Sequence, residues 1–152
     1  MQGERVRLRP MTRHDLEGDV SWSRMEPEML RRRFARAERD PTQGLFVVLN
    51  EDGERIGRAE YVAYRAEERR ARCNLHLAER FTGRGYGTDA LRTFTRCLFE
   101  TLDVDWIGCL VHTENLRSVR MCRKCGFRIE RTEKGLYVMT LARPRRAGVL
   151  SG

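Results

Sequence analysis

Along residues 5–10, RVRLRP, apolar and basic side chains alternate and the run stops at Pro10, a pattern that predicts a short strand. Residues 13–39 carry helical spacing after Thr12, a candidate cap, with a break at Glu26 and Pro27 where proline suits a new first turn; two short helices are expected. GLFVVLNEDGERIGRAEYVAY, residues 44–64, reads as a hairpin turning at Asn50–Gly53, and RARCNLHLA, residues 70–78, as the next strand. From 89 to 102, Leu91, Phe94, Leu98 and Leu102 recur at steps of three and four, the mark of an amphipathic helix. DWIGCLVH, residues 105–112, is a strand, and Asn115 then caps a helix whose apolar stripe is Leu116, Val119 and Cys122 and whose end is Gly126. Two closing strands are expected near 127–131 and 136–141.

With 152 residues and no Pro-, Gly- or Ser-rich linker, the chain predicts one domain over 1–142, followed by a basic tail, 143–152, expected to be disordered. Hydrophobic residues at 40% and charged ones at 34% are those of a soluble globular protein, and no apolar run approaches the roughly 20 residues of a membrane span. The amino terminus has no apolar stretch behind its charges, so a cytoplasmic setting with free thiols is expected. A net charge of +8, carried mostly by arginine, favours anionic partners such as nucleic acid, a phosphate-rich cofactor or the ribosome.

The most informative stretch is FTGRGYGTDAL, residues 81–91, which sets Gly83, Gly85 and Gly87 between a strand and the amphipathic helix. Glycine lets the backbone bend sharply and approach a ligand. The free amides and positive end of the following helix favour an anion by about 0.3–1 kcal/mol, so a pyrophosphate fits there. A Walker loop would need Gly-Lys-Ser or Gly-Lys-Thr where Gly87, Thr88 and Asp89 stand, and a dinucleotide fingerprint would follow the first strand of a βαβ unit.

In this context four segments in order, RLRPMTRHDLE, EDGERIGRAEYV, GRGYGTDAL and NLRSVRMCRKCGF, resemble the GNAT superfamily of N-acetyltransferases across nearly the whole chain. The resemblance is closest to the subgroup of ribosomal-protein N-terminal and spermidine acetyltransferases. It implies an α/β (α+β) fold: a mixed, mostly antiparallel sheet of six to seven strands flanked by about four helices. It also implies acetyl-CoA as cosubstrate, no metal, an amine acceptor (a protein or peptide N-terminus or a small amine), and homodimers.

Carried onto this sequence, the resemblance puts acetyl-CoA between the fourth and fifth strands. Amides of Arg84, Gly85, Tyr86, Gly87 and Thr88 hold its pyrophosphate, while Leu75, His76 and Leu77 bond its pantetheine and polarise the thioester. Asn115 contacts the cofactor, and Arg120 or Arg123 meets the ribose phosphate. Ser118 is the candidate acid for the departing thiolate. Cys122 occupies the place where many relatives carry a tyrosine, so its thiol is a second candidate. For the base, relatives use a glutamate early in the fourth strand, but Arg72 stands there; Glu60, Glu26, Glu28 and His76 are the alternatives. Thr82 departs from the usual arginine or glutamine, and the short RTEKG link at 131–135 leaves one wall of the acceptor pocket open, which suits a peptide.

Cys109, His112, Cys122 and Cys125 also spell C-x2-H and C-x2-C, as in a zinc site. The strand reading of 105–112 sends Cys109 and His112 to opposite faces and argues against a four-ligand centre. Two rival functions follow: a basic nucleic-acid-binding module, with or without zinc, and a catalytically silent CoA-binding protein of the same fold.

Overall fold

The computed structural model describes residues 1–144; the expected tail from 145 onward lies outside the described residues. Seven strands form one sheet in the order β1-β2-β3-β4-β5-β7-β6: β1 Arg7–Pro10, β2 Gly44–Leu49, β3 Arg55–Arg65, β4 Arg70–Leu77, β5 Trp106–His112, β6 Arg128–Glu133 and β7 Leu136–Ala142. Every neighbouring pair is antiparallel except β4 and β5, which run parallel. Three α-helices cover it: α1 Pro27–Arg39, α2 Tyr86–Thr101 and α3 Leu116–Lys124. None is long and apolar enough to cross a membrane among the described residues.

The helix count is one short of the sequence expectation. Residues 13–23 form two single 3-10 turns instead of a helix, because Gly18 takes φ +69° and Asp19 binds the Ser21 amide and hydroxyl, which breaks the helical path. The first of these turns is fixed by Asp15, a buried carboxylate that accepts from the Thr12 amide at 2.8 Å, from Arg9 and from Arg55. Burial alone would push that carboxyl up, but the two guanidiniums and the amide hold it well below the usual carboxylate range.

α1 starts at Pro27, whose missing N–H costs nothing in a first turn, and buries Leu30 and Phe34 against Leu45, Val47 and Leu49 of β2. On the opposite face, α2 buries Ala90, Leu91, Phe94 and Leu98 in the larger core with Ile56, Ala59 and Ile107. Each large side chain so buried stabilises the fold by roughly 1.5–3 kcal/mol, an upper estimate for a compact unfolded chain. In the β2–β3 hairpin, Asn50 Oδ1 accepts from the Asp52 and Glu54 amides, and Gly53 supplies φ +77°.

β4 and β5 meet only at their first residues, and this junction is pinned from outside the sheet. The Arg69 guanidinium binds Asp103 at 2.7 Å and Asp105 at 2.6 Å, while the Arg69 carbonyl accepts from the Asp105 amide at 2.7 Å. Arg143, at the start of the expected tail, adds a backbone bond to the Asp105 carbonyl at 2.8 Å and side-chain bonds to the carbonyls of Phe99 and Val104.

Candidate active site

The parallel pair holds over three residues only, Arg70 with Trp106, Ala71 with Ile107 and Arg72 with Gly108. Beyond Arg72 the facing edges of β4 and β5 have no strand partner, and a cavity of about 530 Å³ opens between residues 73–77 and 109–112. Strand alternation gives the opening two faces. Cys73, Leu77, Cys109 and Val111 point into the core beneath α2 and α3, whereas Asn74, His76, Leu110 and His112 lie on the α1 face.

The mouth on the α2 side is the glycine loop. Gly83 and Gly85 adopt φ +73° and +85°, a region where a Cβ would be strained, and α2 begins immediately after with no side-chain cap. None of the backbone amides from Gly83 to Thr88 donates to a protein acceptor among the described residues. Such amides at a helix start with no intramolecular partner form an anion site. The loop is braced from the segment that leads into β1: Asp89 accepts from the amides of Glu4, Arg5 and Val6 at 3.0, 2.8 and 2.9 Å. The Arg5 guanidinium lies 4.0 Å from the Tyr86 ring centre and donates to the Arg84 carbonyl.

Of the loop residues singled out in the sequence, Gly85, Gly87 and Thr88 line the cavity, as do Leu75, His76 and Leu77 of β4. Arg84 and Tyr86 offer only their amides; the Tyr86 ring is buried against Phe81 and its hydroxyl binds Glu51. On α3, Asn115 accepts from the Ser118 amide at 3.2 Å, so it is the helix cap and a cavity residue at once. Ser118, Arg120 and Cys122 line the cavity too. Arg123 does not, and Arg117 and Lys124 stand there instead. The reason is periodicity: 117, 120, 121 and 124 share one helical stripe, which leaves 123 at the back.

The candidate bases separate clearly. Glu26 and Glu28 are exposed at the start of α1 and outside the cavity lining, with Glu28 paired to Arg32 at 3.2 Å. Glu60 is buried below the α1 face and fully engaged, accepting from Arg33 at 2.6 Å, Arg58 at 3.1 Å and Asn74 at 3.2 Å. Burial pulls its carboxyl up, but these donors and the Arg58 and Arg33 charges bring it below the ordinary glutamate value, so it is an ionised partner to arginine with little basicity. His76 alone of the four lines the cavity. Burial, then the Arg58 charge, push its pKa down to about 4, which keeps the ring neutral.

Beneath the cavity, Cys109 and Cys122 bring their sulfurs to 3.8 Å, while His112 sits exposed on the other face of β5, the arrangement a period-2 strand demands. The hydrogen bond to Cys122, and burial, push the Cys109 thiol up, while the same hydrogen bond draws the Cys122 thiol down against its burial. Cys125 turns to the Thr88 carbonyl at 3.6 Å.

Three contributors escaped sequence reasoning: Asp89 and Arg5, which brace the loop across more than eighty residues, and Arg24, which reaches the cavity from the turn before α1. The only local signal for Asp89 is a carboxylate in a first helical turn, which does not reveal contact with residues 4–6.

Comparison with known proteins matches residues 5–128 to the acetyltransferase (GNAT) domain model. No curated protein matches the chain. Among solved structures, spermidine N-acetyltransferase from Vibrio cholerae in complex with CoA and spermine superposes with a TM-score of 0.77 at 19% identity, over 90% of this chain and 95% of that one. A dodecameric form of the Vibrio cholerae enzyme gives 0.75 at 20% identity, over 90% and 93%. The Campylobacter jejuni N-acetyltransferase PseH gives 0.75 at 16% identity, over 91% and 99%.

Proposed function

Since the chain belongs to the GNAT acetyltransferase family, we propose that its cavity takes acetyl-CoA and that an acetyl group passes directly to a primary amine of a small molecule or of a peptide N-terminus. The observation that carries this reading is the run of unpartnered amides from Gly83 to Thr88 at one end of the β4–β5 opening, with Arg117, Arg120 and Lys124 beside it. Amides and α2 terminus suit a pyrophosphate, and the α3 cations suit a further phosphate. The unpaired edge of β4 suits a chain of amides laid alongside it as an added strand.

When bound, the cosubstrate supplies an acyl thioester; the rest is the work of this chain. A free amide near Leu75 or Leu77 would stabilise negative charge on the carbonyl oxygen during attack. The amine loses one proton to become nucleophilic and a second as the C–N bond replaces the C–S bond; one of these protons returns to the departing sulfur and the other leaves to solvent. Ser118 is half-buried on the cavity wall and is the group assigned to protonate the sulfur, with the Cys122 thiol as the second candidate on the same wall. His76, neutral at physiological pH, accepts a hydrogen bond from the amine and orients it. The Arg24 and Arg58 charges disfavour an ammonium here, so deprotonation needs no strong base.

The test is calorimetric titration of acetyl-CoA followed by thiol release over an amine panel. Saturable binding with amine-dependent release supports the reading. Binding without turnover of any amine or peptide leaves only a CoA-binding protein, and absence of binding removes the proposal.

A further inference from the structure

The α1 face of the opening carries an excess of cationic charge that its own acids do not neutralise. Below it, Glu60 is already shared by Arg33 and Arg58. The cavity adjoins a trough of about 990 Å³ on the same face of β4, β5 and β7, the two sharing Cys109 and Leu110. In that trough Glu68 is taken by Arg70 at 2.7 Å, and Glu130 and Glu133 by Arg131 at 3.3 and 2.6 Å. Arg24, which lines the cavity, and Arg72, which lines the trough, are paired with no carboxylate among the described residues.

Arg24 is also held in place. It ends a 3-10 turn with φ +57°, a conformation that a non-glycine residue adopts only at a cost, and the turn rests on buried Arg58, whose Nε donates to the Ser23 carbonyl at 2.7 Å. The Ser23 hydroxyl, itself buried, closes the turn onto the Val20 carbonyl at 2.7 Å. A buried arginine thus fixes the backbone that presents an exposed one at the cavity.

We infer that the acceptor is an amine bearing a nearby anionic group, a carboxylate or phosphate, which Arg24 and Arg72 bind while the amine reaches His76, and that polyamines are poor substrates. This rests on the acetyltransferase reading above and names its substrate class. A guanidinium suits either oxyanion through paired N–H donors, and a polycation would meet like charge throughout the approach.

The test compares kcat/KM for four small amines of similar reach, β-alanine, phosphoethanolamine, ethanolamine and spermidine, and for one peptide with Glu, Gln or Lys at its second position. The expected order is anionic, then neutral, then cationic, with the anionic member at least about tenfold ahead of the neutral one, as a close charge pair at a binding site provides. The small-molecule and peptide arms tell which source carries the anion. Arg24→Gln and Arg72→Gln should each bring the anionic-to-neutral ratio toward one, and Arg24→Glu should turn the order toward spermidine. Spermidine ahead of the anionic amines, or a ratio indifferent to both variants, overturns the inference. If acetyl-CoA binds but nothing is turned over, thermal shifts of the CoA-loaded protein with the same panel decide: stabilisation by anionic members alone supports the assignment, and any other pattern overturns it. Failure to bind acetyl-CoA in the parallel titration removes the acetyltransferase reading itself.

Discussion

The two faces of one opening are built by different means. On the α2–α3 face the recognition elements are main chain, the bare amides of 83–88 and the free edge of β4, set in an apolar bed of Leu77, Leu91 and Val111. On the α1 face they are side chains, a lattice of Arg24, Arg33, Arg58, Glu60, Asn74 and His76 drawn from separate segments of the chain. Backbone recognition serves a ligand that is always the same; side-chain recognition can be rewritten residue by residue. The contrast teaches where specificity in this protein is free to change.

The contrast breaks most sharply at Glu60. Glu60→Gln leaves Arg58 buried with a lost counter-charge, and an expected cost of about 3–5 kcal/mol should appear in urea unfolding. A loss below about 1 kcal/mol would mean that the lattice is solvated and the face is not rigid. Next in size, Ser118→Ala should lower kcat by about 100-fold in steady-state assays with KM for acetyl-CoA little changed, since the role proposed for its hydroxyl is confined to the departing sulfur; an unchanged kcat passes the role to Cys122.

On the backbone side, Gly85→Val forces a β-branched residue to φ +85° at a cost of about 1–2 kcal/mol, so acetyl-CoA should bind roughly tenfold more weakly by calorimetry while acceptor selectivity stays as it was. A variant with full affinity would show that the loop amides do not hold the ligand. The smallest effect is a titration. The His76 ring should titrate near pH 4 by NMR instead of near 6.5. With its pKa lowered in the folded state, the unfolded chain binds the extra proton between about 6.5 and 4, so the His76 contribution to stability is complete above 6.5 and declines as pH falls across that window. Glu60, also lowered, gives up its contribution only at more acid pH, below the ordinary glutamate value. A His76 midpoint at 6.5 or higher would show an open, wet α1 face.

What the sequence made legible follows the same division. The glycine loop, α2 and the Asn115 cap are written in local spacing, and the four family segments set the order of strands, so the α2–α3 face is readable from the chain itself. The α1 face is not. Strand alternation sets Arg58 and Glu60 on one face of β3, but nothing near them in the chain records that they approach Arg33, Asn74 and His76, because those contacts arise from the register of β3 against β4 and from the docking of α1. Local patterning also overstates helix in 13–23, where Gly18 and the Asp19 side chain prevail. It leaves Arg120 and Arg123 equivalent until the stripe through 117, 120 and 124 is set against the cavity.

A sheet joined across its middle by three residue pairs, and riveted there by Arg69, has the mechanics of a book with a short spine. The leaf of β1–β4 and the leaf of β5–β7 share one core beneath α2, and beyond the spine their facing edges are not bonded to each other. Whatever lies between the pages and bonds both edges acts as a bookbinder's glue, so loading should stiffen the far ends of β4 and β5 and slow deuterium uptake there more than at the spine.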